Sequence, residues 1–345
     1  MRIGILTHPL RFNYGGILQC YALTVCLKKM GHDPIVIRRE FDKSFFLWEW
    51  IRAILRFMHF PRYYSSNAVD RTVNIRPFVD KYIVRTLPIR SQKQIKKVCR
   101  KYDLDVVIVG SDQVWRADYA LNFGYNYFLD FVPENVVRFS YAASFGLSEW
   151  NYTIEQTLHI KDLLKNFRGI SVREEDGARL CRSYLDIDAQ LVADPTILLS
   201  VADYDLIASS RLIKESYVFI YWLGDKKEIV PTIEKYKAES KVVVYVGLRD
   251  LTMFPSIADW LSYIKYADIV VTDSFHGCVF SLLYHRPLQV FENKSGGYGR
   301  IMSLIHMLGL TEEQFLQCDY DYYGIDKSIS NIHNTSKKFI INSIA

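Results

Sequence analysis

Short apolar runs recur along this chain, and each is followed by a turn or by a segment with helical spacing. Residues 3–7, 105–109, 217–222, 242–246 and 269–271 are runs of this kind. Runs of this length are typical of strands that are buried on both faces in a parallel sheet. Their alternation with helices predicts an α/β protein with doubly wound, Rossmann-like sheets.

The length of the chain indicates more than one domain. It has 345 residues, half of them apolar, which is too much for a single core of ordinary size. We expect a first α/β domain over residues 1–200 and a second over residues 210–320. Residues 321–345 form a tail whose final helix, near 336–343, is expected to pack back on the first domain. Two such domains leave a cleft lined by strand ends from both sheets.

Composition argues against several classes of protein. The net charge of +5 is a mild excess without a concentrated Lys/Arg block, so nucleic acid is not an expected partner. The six cysteines include no Cys-x-x-Cys pair and the histidines show no metal-ligand spacing. We therefore expect no metal, no other cofactor and a reduced, cytoplasmic setting. The first residues form a strand instead of a signal peptide, and no apolar run is long enough to span a membrane.

An insertion at residues 41–90 has a composition of its own. The stretch 45–60 is rich in aromatic residues and carries Arg52 and Arg56 one helical turn apart. Such a helix can lie on the inner face of a membrane, with its arginines toward the lipid head groups. The alternative is a helix that covers the first domain or a partner subunit, because a mixed aromatic face serves protein packing equally well.

The stretch 268–284 combines a buried strand, a polar turn and an apolar helix. The turn places Ser274, His276 and Gly277 at a helix N-terminus, at the mouth of a sheet. Free backbone N–H groups and the positive end of the helix dipole favour an anion there. A histidine at this position is a candidate for proton transfer. The alternative is an ordinary helix-start histidine that bonds a backbone carbonyl.

Two loops of the first domain are expected at a similar edge. Asn13-Tyr-Gly-Gly16 precedes a helix that we place at 17–30, and Gly110-Ser-Asp-Gln-Val-Trp115 follows the strand at 105–109. Polar residues just past the carboxyl ends of parallel strands lie where open α/β sheets bind ligands. The glycines let the backbone approach a ligand, although plain turn chemistry explains them equally well.

Seven segments, taken together and in order, resemble one family. They are Asn13-Tyr-Gly-Gly16 with Leu18-Gln19 and Tyr21-Ala-Leu23, Val109-Gly-Ser-Asp-Gln-Val-Trp115, Ser140-Tyr-Ala-Ala-Ser-Phe-Gly146, Ser171-Val-Arg-Glu174, Val192-Ala-Asp-Pro-Thr196, Thr272-Asp-Ser-Phe-His-Gly277 and Phe280-Ser-Leu-Leu283. The sequence resembles the polysaccharide pyruvyl transferase family. The resemblance runs from the first strand to about Leu310 and leaves out the insertion and the tail.

The resemblance implies a fold similar to that of the GT-B glycosyltransferases. It also implies transfer of the pyruvyl group of phosphoenolpyruvate to a hexose of galactose type as a ketal, with release of phosphate. The acceptor would belong to a polysaccharide or to a lipid-linked oligosaccharide precursor. The arginine, histidine and lysine that serve the donor in this family map onto Arg173, His276 and Lys294, and Arg300 is the substitute for Lys294.

The chemistry of phosphoenolpyruvate fits these donor residues. Its carboxylate and phosphate need several cations and N–H donors. We expect Arg173 to hold one of these groups, Lys294 or Arg300 to close over the other, and the amides from Ser274 to Gly277 to add donors. The alternative for Arg173 is a structural ion pair with Glu174 or Asp194, and for Lys294 and Arg300 a solvated loop charge.

Proton transfer needs further groups. His276 is the candidate acid or base, or the group that escorts the leaving phosphate, and Asp273 and Asp112 are candidates for the base that takes the sugar proton. The acceptor sugar is expected at the two loops of the first domain. The residues concerned are Asn13, Tyr14, Gly15, Gly16, Ser111, Asp112, Gln113 and Trp115. The indole of Trp115 can stack on a sugar face, and the alternative is that it belongs to the core.

Two other functions compete with this interpretation. A GT-B glycosyltransferase that uses a nucleotide sugar would have the same fold. A non-catalytic interaction protein with a decayed cleft is the third possibility. Release of phosphate from phosphoenolpyruvate, as opposed to release of a nucleotide from a nucleotide sugar, separates the first two.

Overall fold

The computed structural model describes residues 1–40, 72–249, 253–292, 298–317 and 320–345. These residues form two parallel four-stranded sheets and one short two-stranded pair, connected by helices. The predicted architecture of two doubly wound α/β sheets is confirmed. The predicted membrane-contacting stretch 45–60 and Lys294 lie outside the described residues.

The first sheet has the strand order β2-β1-β3-β5, with every pair parallel. The strands of this domain are β1 (Arg2–Leu6), β2 (Asp33–Val36), β3 (Val106–Val109), β4 (Asn122–Tyr125), β5 (Val137–Ser140), β6 (Ser171–Val172) and β7 (Gln190–Leu191). All four residues of β3 are buried, as the continuous apolar run predicts for a central strand. Single bridges from Phe139 to Gly169 and from Ala143 to Val172 attach the short β6–β7 pair beside β5.

The helices of the first domain follow the strands in sequence. They are α1 (Tyr14–Lys29), α2 (Arg76–Tyr82), α3 (Gln92–Ile95), α4 (Val98–Lys101), α5 (Ala117–Ala120), α6 (Ile154–Leu164), α7 (Glu175–Leu180) and α8 (Val201–Asp205). The sequence places the start of α1 at residue 17, but the helix begins at Tyr14. The side chain of Asn13 accepts a hydrogen bond from the backbone N–H of Gly16, so both glycines belong to the first helical turn.

The second sheet has the order β11-β10-β8-β9 and is also parallel throughout. Its strands are β8 (Tyr217–Trp222), β9 (Val242–Gly247), β10 (Ile269–Thr272) and β11 (Leu288–Val290), and its helices are α9 (Lys226–Ala238), α10 (Ile257–Lys265), α11 (Phe275–Leu283), α12 (Tyr298–Met307) and α13 (Glu312–Leu316). In the first sheet β1 lies between β2 and β3, and in the second sheet β8 lies between β9 and β10. In a sheet of this kind a crevice opens at the carboxyl ends of the two central strands. Here those strands are β1 with β3 and β8 with β10.

A continuous set of buried apolar side chains joins the two sheets. Tyr14, at the start of α1, is fully buried; its ring stacks on Trp260 of α10 at 5.3 Å and its hydroxyl donates to the carbonyl of Pro255 at 2.8 Å. Burial of large aromatic rings between two elements is a strong source of packing free energy. The first turn of α1 is therefore fixed against the second domain.

The last helix, α14 (Tyr322–Ile344), packs on the first domain and is longer than the 336–343 predicted. The ring of Phe339 lies 6.1 Å from that of Phe139 in β5, and the hydroxyl of Ser336 accepts a hydrogen bond from the N–H of Ala193 at 3.0 Å. Ile325, far upstream of the predicted start, is also buried, which explains the earlier beginning. Among the described residues, no helix has both the length and the apolar character needed to cross a bilayer.

Candidate active site

The N-termini of α1 and α11, one from each domain, meet at the carboxyl edges of the two sheets. A Cβ atom on Gly15 of α1 would overlap the imidazole of His276, the second residue of α11. Only glycine leaves room for this contact. The loops Asn13–Gly16 and Ser274–Gly277, which the sequence assigns to opposite sides of a cleft, are thus in direct contact.

Arg173 lies at the centre of this region, one residue after β6. Its side chain is fully buried and lies among three carboxylates. Its Nη1 donates to Oδ2 of Asp194 at 2.8 Å and its Nη2 to Oδ1 of Asp112 at 3.1 Å, while its Nε is 3.6 Å from Oε2 of Glu174. A fully buried guanidinium needs such partners, because an unpaired charge in the interior is very costly.

Asp194 is the carboxylate that joins the two domains. Its Oδ1 accepts from the N–H and the hydroxyl of Thr196 at 3.0 and 2.7 Å, and its Oδ2 accepts from the hydroxyl of Ser111 at 3.2 Å. The same Oδ2 lies 3.6 Å from Nε2 of His276. Arg173 and His276 therefore share one carboxylate oxygen.

His276 is held on several sides. Its neighbour Phe275 covers the guanidinium of Arg173, with the ring centroid 4.8 Å from Cζ, and Gly15 lies under the imidazole. The Nε2 atom is buried and has no hydrogen-bond partner among the described residues. A buried polar atom without a hydrogen bond is unusual in a native protein. Here the carboxylate of Asp194 faces this atom just beyond hydrogen-bond distance, at 3.6 Å.

Asp112 follows β3 and connects the cluster to α1. Its backbone has φ 74°, in the left-handed region that residues other than glycine seldom adopt. This conformation turns the carboxylate toward Arg173 on one side and toward Asn13 on the other, whose Nδ2 lies 3.4 Å from Oδ2. Local backbone strain of this kind is common at functional sites.

The three carboxylates differ in their proton affinities. Burial opposes ionisation of Asp194, but His276 and Arg173 outweigh it and hold the pKa of this carboxyl well below its usual range. Burial also opposes ionisation of Asp112, and Arg173 again lowers its pKa overall. For Glu174 burial prevails over the effect of Arg173 and Arg300, so its pKa is raised. Glu174 is thus the carboxyl of this cluster that most readily carries a proton.

Arg300, at the start of α12, approaches the same cluster from the second domain. With Glu174, Asp176 and the backbone of Gly146 it lines a small cavity of about 120 Å³. Its Nε is buried and has no hydrogen-bond partner within the described ranges. Burial and the nearby Arg173 lower the pKa of this guanidinium to about 10. The hydroxyl of Ser303 accepts from the N–H of Glu175 at 3.0 Å and so ties α12 to α7.

The other predicted donor-side residues serve the local structure. Ser274 caps α11 by accepting from the N–H of Gly277 at 3.3 Å. The carboxylate of Asp273 accepts from the N–H groups of Leu223 and Gly224 at 2.8 and 2.9 Å and thereby fixes the turn after β8. The structure brings Arg173, His276, Ser274, Gly277 and Arg300 to one region, with Asp273 turned toward β8.

The residues predicted for the acceptor divide into two groups. Asn13, Gly15, Gly16, Ser111 and Asp112 adjoin the Arg173 cluster through the contacts above. Tyr14 is buried against the second domain. The oxygen of the Gln113 amide accepts from Nη1 of Arg116 at 3.2 Å.

Trp115 lies in the core of the first domain. It is fully buried, its ring stacks on Phe128 at 5.8 Å, and its indole N–H donates to the carbonyl of Tyr127 at 3.0 Å. These contacts leave no exposed indole face on which a sugar could stack, in agreement with the alternative that Trp115 belongs to the core.

Sequence reasoning gave no chemical role to three groups that the structure brings to this region. Glu174 and Asp194 were considered only as structural partners of Arg173, although both belong to the motifs that carry the family resemblance. His8 follows β1, and its Nδ1 is 3.4 Å from the hydroxyl of Tyr127. In the part of the chain that the structure describes, no group of three or more His, Cys, Asp or Glu side chains is arranged to hold a metal ion.

Several solved structures have a similar fold. A UDP-N-acetylglucosamine 2-epimerase assigned as putative, from Listeria monocytogenes, has a TM-score of 0.53 at 9% identity, over 98% of this chain and 97% of that one. The UDP-GlcNAc 2-epimerase of Methanocaldococcus jannaschii, in complex with UDP-GlcNAc and UDP, has a TM-score of 0.49 at 13% identity, over 97% and 93%. An α-glucosyltransferase in complex with UDP and DNA has a TM-score of 0.46 at 10% identity, over 100% and 95%. At such identities the likeness concerns the fold alone, which is that of GT-B glycosyltransferases and epimerases.

Comparison with protein families identifies the chain more closely. None of the curated proteins matches the sequence. The model of the polysaccharide pyruvyl transferase family matches residues 13–295, a range that includes Arg173, His276 and all three carboxylates of the cluster. The match covers well over half of the chain and confirms the resemblance seen in the motifs. The protein is therefore a transferase and belongs to the polysaccharide pyruvyl transferase family.

Proposed function

We propose that this transferase moves the pyruvyl group of phosphoenolpyruvate onto a hexose of galactose type, as a ketal, and releases phosphate. The hexose would belong to a polysaccharide or to its lipid-linked precursor. The observation that carries the proposal is the carboxylate oxygen of Asp194 shared by Arg173 and His276. It brings an anion-binding side chain and a proton-transfer side chain together where two helix N-termini meet.

The charges of the cluster limit how the donor binds. Two guanidinium groups, Arg173 and Arg300, face the carboxylates of Asp112, Glu174 and Asp194. A donor with a carboxylate and a phosphate would be repelled unless protons or further cations accompany it. Glu174 supports the proposal here, because its raised pKa lets it take up a proton when the anion arrives.

We propose that the guanidinium of Arg300, and not that of Arg173, makes the main ionic contact with phosphoenolpyruvate. Both terminal nitrogens of Arg173 already donate to carboxylates and its side chain is fully buried, whereas Arg300 lines the cavity of about 120 Å³. The Nε of each arginine has no hydrogen-bond partner within the described residues. Arg173 then acts chiefly by holding Asp194 and Asp112 in place. Lys294 remains a second candidate for the donor on the basis of the sequence.

The reaction needs three proton movements. The methylene carbon of phosphoenolpyruvate gains a proton, and a sugar hydroxyl forms a C–O bond at C2 and loses its own proton. A second hydroxyl then displaces phosphate and loses a proton, which closes the ketal. His276, whose Nε2 has no partner among the described residues, is the proposed acid and base for these steps, and Asp112 is the proposed carboxylate on the acceptor side.

Acceptor-dependent phosphate release tests the proposal against its rival. The protein is incubated with phosphoenolpyruvate and a β-galactoside, and in parallel with a UDP-sugar and the same galactoside. The proposal predicts phosphate release and a galactoside that gains the mass of a pyruvate ketal. Release of UDP without any reaction of phosphoenolpyruvate would instead establish the glycosyltransferase.

A further inference from the structure

His8 occupies in the first domain a place similar to that of His276 in the second. It stands two residues after β1, at the crevice between the carboxyl ends of β1 and β3. His276 stands four residues after β10, at the crevice between β8 and β10. Open α/β sheets bind their ligands at such crevices. Each sheet therefore places one imidazole where a ligand binds.

The imidazole of His8 is held by two tyrosines. Its ring is edge-on to those of Tyr119 and Tyr127, with centroids 5.6 and 5.3 Å away, and its Nδ1 is 3.4 Å from the hydroxyl of Tyr127. Burial raises the pKa of Tyr127, so the hydroxyl stays neutral and its oxygen can accept a hydrogen bond from Nδ1–H. In that tautomer the lone pair of Nε2 is available to take a proton.

The Nε2 atom of His8 has no hydrogen-bond partner among the described residues, although it is buried. Few buried polar atoms of native proteins lack a partner, and those that do need an explanation such as a catalytic role. The ring as a whole is half-buried and lines a cavity together with Thr7. A hydroxyl group of a ligand in this cavity would give Nε2 its hydrogen bond.

A chain of short contacts leads from the loop of His8 to His276. The hydroxyl of Thr7 donates to the carbonyl of Ser111 at 3.0 Å, and the hydroxyl of Ser111 donates to Oδ2 of Asp194 at 3.2 Å. The same oxygen lies 3.6 Å from Nε2 of His276. The two histidines thus belong to one site, although they come from different domains.

Asp112 lies near both imidazoles. Burial raises the pKa of its carboxyl, but Arg173, followed by His8 and His276, lowers it. Its Oδ1 accepts from Nη2 of Arg173 at 3.1 Å. A carboxylate held in this way is a weak proton acceptor, so Asp112 is better suited to orient the acceptor sugar than to take its proton.

The chemistry of the ketal needs a second proton acceptor. In the proposed reaction one sugar hydroxyl adds to C2 of phosphoenolpyruvate while the methylene carbon gains a proton, and a second hydroxyl then displaces phosphate. An imidazolium at His276 can give its proton to the methylene carbon and take one back from the first hydroxyl. It then carries a proton again when the second hydroxyl must lose its own, so that proton needs another base on the side of the sugar.

We infer that His8 is a second catalytic residue of the pyruvyl transfer and takes the proton of the hydroxyl that displaces phosphate. The second C–O bond of the ketal forms as the bond from C2 to the phosphate oxygen breaks. The proton then passes from Nε2 of His8 to the released phosphate or to water. This inference rests on the proposed function and adds a base from the first domain to the acid and base of the second.

Two substitutions of His8 separate proton transfer from structural support. His8→Gln keeps a polar group near the position of Nε2 but cannot take up a proton, and His8→Asn keeps one near Nδ1, where Tyr127 is the partner. The control is His159→Gln, an exposed histidine of the first domain whose ring is also edge-on to a tyrosine, Tyr125, at 4.4 Å. With phosphoenolpyruvate and a β-galactoside, we expect ketal formation to fall at least about 100-fold in both His8 variants and to stay near the wild-type rate in the control.

Deuterium exchange distinguishes this role from that of His276. In heavy water, reversal of the first addition returns phosphoenolpyruvate with deuterium in its methylene group, and this exchange needs His276 but not His8. We expect His8→Gln to exchange with the galactoside present at least as fast as the wild type, because its adduct can only revert. His276→Asn should lose both exchange and ketal formation. Calorimetry with phosphoenolpyruvate should give an unchanged Kd in His8→Gln, which shows that the donor site is intact.

A near wild-type rate of ketal formation in either His8 variant would overturn the inference. So would the loss of both exchange and ketal formation in a His8→Gln protein that still binds phosphoenolpyruvate, because His8 would then serve the first addition or only support the site. A wild-type protein that leaves phosphoenolpyruvate unchanged with every galactoside would instead refute the proposed function itself.

Discussion

The imidazole of His276 rests on the backbone of Gly15, so a residue of the second domain closes over the first turn of a helix in the first domain. The contact explains why glycine stands in this turn of α1, where helix propensity alone would favour alanine. It also fixes the position of Nε2 relative to Asp194. The candidate site therefore depends on how the two domains meet.

Replacement of Gly15 by alanine is expected to displace His276. The new Cβ would overlap the ring, and a misplacement of about 1 Å at a reacting group can cost about 100-fold in rate. We expect a loss of kcat of this order, measured as phosphate release per folded protein, together with a loss of stability of about 1–3 kcal/mol, because the overlap lies in a buried region. Lys28→Ala, at an exposed position of the same helix and outside the candidate site, is the control. Similar kcat values for the two variants would contradict the contact.

Replacement of Asp194 by asparagine is expected to destabilise the protein. It leaves the buried Arg173 without its shortest ion pair, and loss of one partner of a buried pair costs about 3 kcal/mol. Urea unfolding measures this change. The control is Asp188→Asn, which removes an ion pair with Arg182. Both side chains of that pair are exposed, so the free energy of unfolding should change by less than about 0.5 kcal/mol. Equal effects would show that the cluster does not contribute as a buried network.

The stability conferred by Asp194 should also depend on pH in a definite direction. Because the pKa of this carboxyl is lower in the folded protein than its ordinary value of 3.8, its contribution is complete above that pH. It declines as the pH falls through the lower folded pKa. The difference in unfolding free energy between wild type and Asp194→Asn should therefore be constant from pH 5 to 8 and narrow only in strong acid.

Glu174 should show the opposite dependence. Its pKa is raised from 4.5, so the folded state favours the protonated form and the ionised form costs stability at neutral pH. Glu174→Gln is expected to gain stability relative to wild type as the pH rises from about 4.5 to 8. Urea unfolding at several pH values measures the gap between the two proteins. If the stability of Glu174→Gln relative to wild type instead fell over this pH interval, Glu174 would ionise more easily in the folded protein than in the unfolded chain.

Replacement of Arg300 by glutamine is expected to weaken donor binding. Because Arg300 is the proposed ionic contact for phosphoenolpyruvate, its loss should raise the Kd of that ligand by at least about tenfold. Calorimetry with phosphoenolpyruvate measures the change, and Arg182→Gln, at an exposed ion pair, is the control for loss of one charge. An unchanged Kd in Arg300→Gln would transfer the role to Lys294.

Local patterns in the sequence predict much of the fold. The buried runs gave β3, β8 and β10 close to their observed bounds, because continuous apolar residues and a following turn leave few alternatives. The start of α1 was misplaced because the two glycines suggested a loop. The role of Gly15 depends on His276, more than 250 residues away in the sequence, and no local pattern reveals such a contact.

The candidate site was also predictable only in part, because local motifs reveal its residues but not the contacts between distant segments. The motifs gave Arg173 and His276, which the structure joins through Asp194. The buried positions of Tyr14 and Trp115 depend on how distant elements pack against each other. These features arise from tertiary structure and are invisible to composition and spacing.

Acceptor-dependent phosphate release from phosphoenolpyruvate by His276→Asn tests the central claim most directly. The control is His285→Asn, an exposed histidine of the same domain that contacts Asp326. General acid–base catalysis at His276 predicts a fall of about 100-fold or more in the first variant and a near wild-type rate in the second. A wild-type rate in His276→Asn would contradict the account, because the cluster around Arg173 and Asp194 would then not be the place where pyruvate is transferred.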